Sequence, residues 1–138
     1  MFTLKNKNLK NALQMFAFAL GIALFGGIYE IFSHEVYSYF MIYAFLVPFT
    51  LGGMVFLILA AKEKEALSKW FYNFWNSGII TITFGMVMKG VLEIYGTTNA
   101  KLYLYFVLGS LLLLLGIMAA LPKVERKRED ELLYDSNR

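Results

Sequence analysis

Cysteine is absent from the 138-residue chain, and histidine occurs once, as His34. The lack of cysteine excludes disulfide and thiol redox chemistry, Cys-ligated zinc and iron–sulfur clusters. A single histidine also excludes a two-histidine haem or metal site within one chain. We therefore expect no cofactor and no metal.

Charged residues are scarce, and apolar residues are abundant. Asp, Glu, Lys and Arg make up 17% of the chain and apolar residues 59%, whereas an ordinary soluble domain has about 25% and about 45–50%. The mean hydropathy is +0.57. This composition predicts a membrane protein with almost nothing left over for a soluble domain.

The apolar residues fall into four blocks, each near the length that a helix needs to cross a hydrocarbon core of about 30 Å. Barrel strands would alternate apolar and polar residues over about ten positions, and these blocks do not alternate. Backbone in lipid must satisfy its own hydrogen bonds, which favours helices. We predict an all-α polytopic membrane protein, one domain over 1–138, with spans at about 12–32, 37–61, 70–95 and 102–121.

Lysine and arginine predict the orientation, because cytoplasmic flanks retain them. They cluster before the first span, between the second and third, and after the fourth: Lys5, Lys7, Lys10, Lys62, Lys64, Lys69, Lys123, Arg126, Lys127, Arg128 and Arg138. The other connections carry only Lys101. We predict a multi-pass protein of the plasma (inner) membrane with both termini cytoplasmic and a charged cytoplasmic tail over 123–138. The basic residues then favour membrane lipids as partners, and no nucleic acid.

The connections after the first and third spans are short, which predicts two helical hairpins. Residues 27–33 align with 90–96 in the pattern G-x-x-E-I-aromatic-small, and residues 37–40 align with 103–106 as Y-x-Y-F. Because both hairpins would start on the cytoplasmic side, the alignment predicts a parallel internal repeat, as in some transporters.

Small residues indicate how the helices pack, because helices in lipid associate through close contacts and polar bonds. In the first span, small residues recur every four positions and Glu30 continues their face, so Glu30 is predicted to point into the bundle. Gly109 and Gly116 in the fourth span are predicted to seat another helix. The small residues of the first span are Ala19, Ala23 and Gly27.

Pro48 lies near the middle of the second span and is followed by Gly52 and Gly53. Proline removes a backbone hydrogen bond and clashes with the preceding turn. A kink is predicted there, either as a static bend whose freed groups bond a neighbouring helix or as a hinge.

Three charged residues fall inside the spans: Glu30, Lys89 and Glu93. A charge at the centre of a span costs about 2.5–3.5 kcal/mol on insertion scales, so each needs a reason. All three lie toward the outer boundary, which predicts an outward-facing acidic site for a cation, a protonated amine or a proton. The structural alternatives are an ion pair between Lys89 and Glu93 at i, i+4 spacing and a Glu30 carboxylate bonded to a nearby tyrosine or backbone.

His34 and Tyr29 flank Glu30 and complete the candidate ligand-binding residues. A neutral imidazole beside Glu30 and Glu35 can relay protons. A lone histidine in a turn, however, more often caps the turn or is simply solvated. No metal site is predicted, because such sites need three or four converging ligands.

Residues 29–38 resemble small four-helix integral membrane proteins of bacteria. The resemblance covers the first outer turn and implies no activity. Two other four-helix families fit poorly: small multidrug exporters place their essential glutamate in the middle of span one, and thiol-oxidising quinone enzymes need cysteines.

The residues favour a membrane protein that binds or transports a cation, a protonated amine or another small solute or lipid. The alternative is a non-catalytic accessory or regulatory subunit of another membrane protein, docked through the small-residue faces. A small membrane enzyme ranks third, because no nucleophile, metal or phosphate motif accompanies the carboxylates. A homodimer or a larger membrane complex is compatible with each of these functions.

Overall fold

The computed structural model describes residues 7–61 and 68–137, and the side chains of these residues except 122–125. Within these ranges the chain forms helices and turns and no strand. Helix α1 spans Lys7–Ile31, α2 spans Tyr39–Ala61, α3 spans Lys69–Ile94, and α4 spans Tyr103–Ser136 after a single 3-10 turn, Ala100–Leu102. Each is long and apolar enough to cross a membrane. The prediction of an all-α chain is confirmed over the described residues, and so is that of four helices long and apolar enough to span a membrane.

Large apolar side chains cover the outside of the molecule. Leu20 and Ile31 of α1 and Leu104 and Met118 of α4 are each more than 60% exposed. Such an extensive apolar surface is unusual for a soluble monomer. Hydrocarbon is the environment in which these side chains lie at no cost.

The helices lie side by side in chain order, with α2 between α1 and α3, and α4 on the other side of α3. Two buried clusters join the first three helices. One contains Ala12, Met15, Phe56, Phe71, Tyr72 and Ile79, and the other contains Met41, Ala44 and Val87. Tyr72 of α3 also donates a hydrogen bond to Asn8 of α1. Helix α4 touches the rest of the molecule mainly through α3.

Glycines bring the backbones of α3 and α4 into contact. A Cβ added at Gly78 would lie 2.9 Å from Gly109 O, and one added at Gly109 would lie 3.1 Å from Gly78 O. A Cβ added at Gly116 would lie 3.2 Å from Trp75 N. Gly109 and Gly116 therefore seat a neighbouring helix of the same chain. They are not free as docking faces for a partner.

In α1 the small residue at the helix contact is Gly26. A Cβ at Gly26 would lie 3.2 Å from Met41 O, whereas one at Gly27 would meet nothing within 4 Å. Ala19 is buried, Ala23 is half-buried, and Gly27 is exposed. The predicted packing face of α1 is therefore rotated by one residue, or about 100°, near the C-terminal end of the helix.

Helix α2 departs from α-helical geometry where the kink is predicted. Tyr39–Tyr43 and Val55–Ala61 are α-helical, and Pro48–Met54 forms a π-helix. The indole Nε1–H of Trp75 in α3 donates to Leu51 O at 2.9 Å. A backbone carbonyl of the irregular segment is thus satisfied by the neighbouring helix, as membrane helices with proline require.

The predicted tail is a continuation of α4, because the helix runs to Ser136 and residues 126–137 are exposed. Four of the basic residues that predict the orientation, Lys5, Lys62, Lys64 and Arg138, lie outside the described residues. The end of the molecule that carries the turns 32–38 and 95–99 is termed the turn end.

Candidate functional site

Met41 organises the turn end, because its backbone lies between two glycines. Gly26 of α1 contacts Met41 O, and a Cβ at Gly90 of α3 would lie 2.9 Å from Met41 N. Glu30 follows Gly26 by four residues, and Glu93 follows Gly90 by three, so each lies one turn further along the same face of its helix. Both carboxylate-bearing turns therefore flank the start of α2.

Glu93 is held by Ser38, the residue directly before α2. The hydroxyl of Ser38 donates to Glu93 Oε2 at 2.6 Å, and Ser38 itself is only 2% exposed. Helix α3 ends at Ile94, one residue after Glu93: Gly96 has φ 75°, its N–H donates to Glu93 O, and Thr97 N–H donates to Leu92 O. This pattern is a Schellman motif, which requires a left-handed residue after the helix. The motif fixes the end of α3 and therefore the position of Glu93 at that end.

Glu30 has no comparable partner. Its Oε1 is buried and accepts no hydrogen bond from any residue that the structure describes. The backbone around it is well fixed, since the hydroxyl of Ser33 lies 2.7 Å from the carbonyl oxygens of both Glu30 and Val36. A buried polar atom without a partner costs about 1–3 kcal/mol. The backbone that carries Glu30 is thus fixed, and Oε1 of its carboxylate is an unused acceptor.

Lys89 contacts aromatic rings instead of a carboxylate. Its Nζ lies 3.8 Å from the ring centroid of Phe40 and 5.0 Å from that of Tyr103. These are cation–π contacts. Over the described ranges, Lys89 and Glu93 form no ion pair with each other. The ion-pair alternative raised by their spacing is therefore not the arrangement seen here.

A cavity of about 380 Å³ lies on the α4 side of the turn end. Lys89 and Glu93 both line it, and three polar residues of the α3–α4 turn complete its wall: Thr97, Thr98 and Asn99. The two charged residues thus face one space. The wall therefore offers a cation, an anion and hydroxyl groups to a small molecule.

A second cavity, of about 490 Å³, lies between the ends of α1 and α3. Its wall is mostly aromatic and apolar, and consists of Phe25, Ile28, Tyr29, Phe32, Ser33, Ile94 and Tyr95. The side chains of Tyr29 and Tyr95 interact with each other across this cavity. Tyr29 thus belongs to an aromatic recess that Glu30 itself does not line, and this recess is separate from the cavity of Lys89 and Glu93.

His34 lies apart from these cavities, exposed in the turn after α1. His34 and Glu35 both adopt left-handed backbone conformations, with φ values of 53° and 70°. In the part of the chain that the structure describes, no three His, Asp or Glu side chains converge as metal ligands would. The geometry places His34 at the rim of the turn end.

Sequence reasoning missed three residues of the site: Ser38, Phe40 and Tyr103. All three lie in the stretches 37–40 and 103–106 that align in the proposed repeat. An aromatic belt at the membrane boundary is a sufficient reason for Tyr103, and no pattern in the sequence assigns Ser38 or Phe40 a contact with Glu93 or Lys89.

The chain was compared with family models, with curated proteins and with solved structures. None of them matches. Function must therefore be argued from the turn end itself.

Proposed function

We propose that this chain is a small protein of the plasma membrane whose turn end faces outward and binds a small cation, in particular a protonated amine, between Glu30 and Glu93. Buried Glu30 Oε1, which accepts no hydrogen bond within the described residues, carries this proposal. An apolar residue at this position would avoid the cost of an unsatisfied acceptor. A bound cation supplies the partner that Glu30 Oε1 lacks among the described residues.

The carboxylate oxygens of Glu30 and Glu93, which flank the start of α2, match the donors of an ammonium group. An ammonium has three N–H donors and no acceptor, whereas an ionised carboxylate accepts through about four lone pairs. Glu30 Oε1 is unused, and the hydroxyl of Ser38 occupies only one lone pair of Glu93 Oε2. This donation also fixes the Glu93 carboxylate before any ligand arrives. A preorganised site binds more tightly because less order is lost on binding.

The aromatic recess favours an organic cation over a bare metal ion. Phe25, Tyr29 and Phe32 line it, and Glu30 follows Tyr29 directly in the chain. Aromatic faces attract ammonium groups, and apolar walls accept an alkyl body. Metal ions bind through several converging oxygen or nitrogen ligands, and no such group converges in the described part of the chain.

The proposed orientation rests on the lysines and arginines at the opposite end of the molecule. Lys7, Lys10 and Lys69 begin α1 and α3, and Arg126, Lys127 and Arg128 lie in the exposed part of α4. Positively charged flanks stay in the cytoplasm. The turn end therefore opens to the outside, where a cationic solute enters without crossing the membrane. Whether bound solute is then carried across is tested by uptake into proteoliposomes.

A thermal-unfolding experiment on detergent-purified protein tests the proposal. The probes are n-butylammonium and its neutral analogue n-butanol. A ligand that binds only the native state stabilises it by about 2.7 kcal/mol at 100 times its Kd. We expect n-butylammonium, but not n-butanol, to raise the midpoint of wild type and of Glu35→Gln, which removes an exposed carboxylate of the same turn. In Glu30→Gln/Glu93→Gln the rise is lost.

An equal rise in the double variant would refute the carboxylate site. If no probe shifts the wild type and the double variant unfolds at a lower temperature, the carboxylates are structural. That result favours the accessory-subunit alternative, which predicts that other membrane proteins co-purify with the chain.

A further inference from the structure

Lys89 and Glu93 have the spacing of an ion pair but do not form one. They are four residues apart on α3, where opposite charges ordinarily pair, and charges inside spans commonly pair with one another. Within the described residues, however, Glu93 binds Ser38 at 2.6 Å and Lys89 lies over Phe40. Ser38, directly before α2, and Phe40, in its first turn, thus hold the two charges separately.

The separated charges line the same 380 Å³ cavity. The rings of Phe40 and Tyr103 attract the Lys89 ammonium but offer no lone pair to its three N–H donors. The ammonium can therefore donate to an anion in the cavity, and the Glu93 carboxylate can accept from a cation there. The hydroxyl groups of Thr97 and Thr98 provide further hydrogen-bonding partners in the wall.

We infer that this cavity binds a small zwitterion, whose ammonium contacts Glu93 and whose carboxylate or phosphate contacts Lys89. The inference rests on the proposed function, since Glu93 serves both, and it narrows the ligand class from cations to zwitterions. The cavity volume is at the lower end of small-molecule sites. It suits an amino acid or the aminoethyl phosphate headgroup of a zwitterionic lipid.

Matched ligands on the wild-type protein give the first test. We would titrate n-butylammonium, 4-aminobutanoate and butanoate into the full chain in detergent and measure affinity by calorimetry. The first two differ by one carboxylate. A charge-assisted hydrogen bond to Lys89 should make 4-aminobutanoate bind roughly tenfold more tightly than n-butylammonium, and butanoate should bind weakly. Equal or weaker binding of the zwitterion would overturn the inference.

Variants of Lys89 locate the effect. Lys89→Met should remove the tenfold preference for 4-aminobutanoate and leave the affinity for n-butylammonium within twofold. Lys89→Arg should retain the preference, because the charge and its cation–π contacts remain. Lys101→Met is the matched control, since Lys101 is exposed in the neighbouring turn. A preference that survives in Lys89→Met contradicts the assignment, and the wild-type comparison decides the question if that variant does not fold.

Lipid composition separates the two sources of zwitterion. In nanodiscs, phosphatidylethanolamine should compete with 4-aminobutanoate if the natural ligand is a headgroup, and should leave its affinity equal to that in phosphatidylglycerol if the ligand is a free solute. Both results support a zwitterion site. Binding of n-butylammonium without preference for either zwitterion retains the proposed function and refutes this inference, whereas absence of binding by all probes refutes both.

Discussion

Replacing Gly90 by alanine should pull apart the contact that places Glu93 beside Ser38. A Cβ at Gly90 would lie 2.9 Å from Met41 N, 2.9 Å from Met41 Cβ and 3.1 Å from Met41 Cα. Two of these atoms are backbone, so a rotamer change cannot relieve the clash, and α2 must move away from α3. Overpacking of this kind costs about 1–3 kcal/mol.

Gly21→Ala is the matched control, because a Cβ there meets nothing within 4 Å. Alanine improves helix propensity by about 0.5–1 kcal/mol at either position. The difference between the two variants therefore isolates the clash. We expect Gly90→Ala to be less stable than Gly21→Ala by about 1–3 kcal/mol in SDS-unfolding titrations followed by tryptophan fluorescence. Equal stability would refute the packing of Met41 between Gly26 and Gly90.

Three further substitutions test individual contacts by thermal unfolding. Ser38→Ala should destabilise the protein by about 1–3 kcal/mol, because Glu93 loses its donor; an unchanged midpoint would mean that the bond does not form. Trp75→Phe should cost at least about 1 kcal/mol, since Leu51 O loses its hydrogen bond. Gly96→Ala should cost about 1–2 kcal/mol, because alanine resists the left-handed conformation that ends α3; a neutral effect would contradict that helix end.

The four helices could be predicted because their signal is one of composition and length. Each block of about 20 apolar residues needs only to be counted, and lipid leaves the backbone no alternative to a helix. The departure at Pro48 is predictable for a similar reason, since proline lacks the donor that the ladder needs. Its form is not. That the segment becomes a π-helix supported by Trp75 depends on a neighbouring helix.

Which residues face one another could not be predicted at the same resolution. Gly26 and Gly27 are both small, yet adjacent residues point about 100° apart, and only the position of Met41 selects Gly26. Likewise the i, i+4 spacing permits a bond between Lys89 and Glu93. Ser38 and Phe40, at the start of a neighbouring helix, hold the two charges apart. Contacts between helices therefore could not be predicted from a single sequence.

The candidate site was predictable in its charges and not in its partners. Glu30, Lys89 and Glu93 stand out because charges inside apolar spans are rare. The hydroxyl and the rings that contact them belong to residue types that are ordinary at a membrane boundary. Hairpin arrangement, internal repeat and cytoplasmic termini stay predictions. Cysteine-accessibility labelling of single variants such as Thr98→Cys in intact cells measures the orientation.

Calorimetric titration of n-butylammonium into wild type and Glu30→Gln, side by side, tests the central claim most directly. The account predicts saturable binding to the wild type and affinity at least about tenfold weaker in the variant, because the buried carboxylate oxygen is the acceptor reserved for the ligand. Glu35→Gln should match the wild type. The same affinity in all three proteins, or no binding to the wild type, would contradict the claim that the turn end is a cation site.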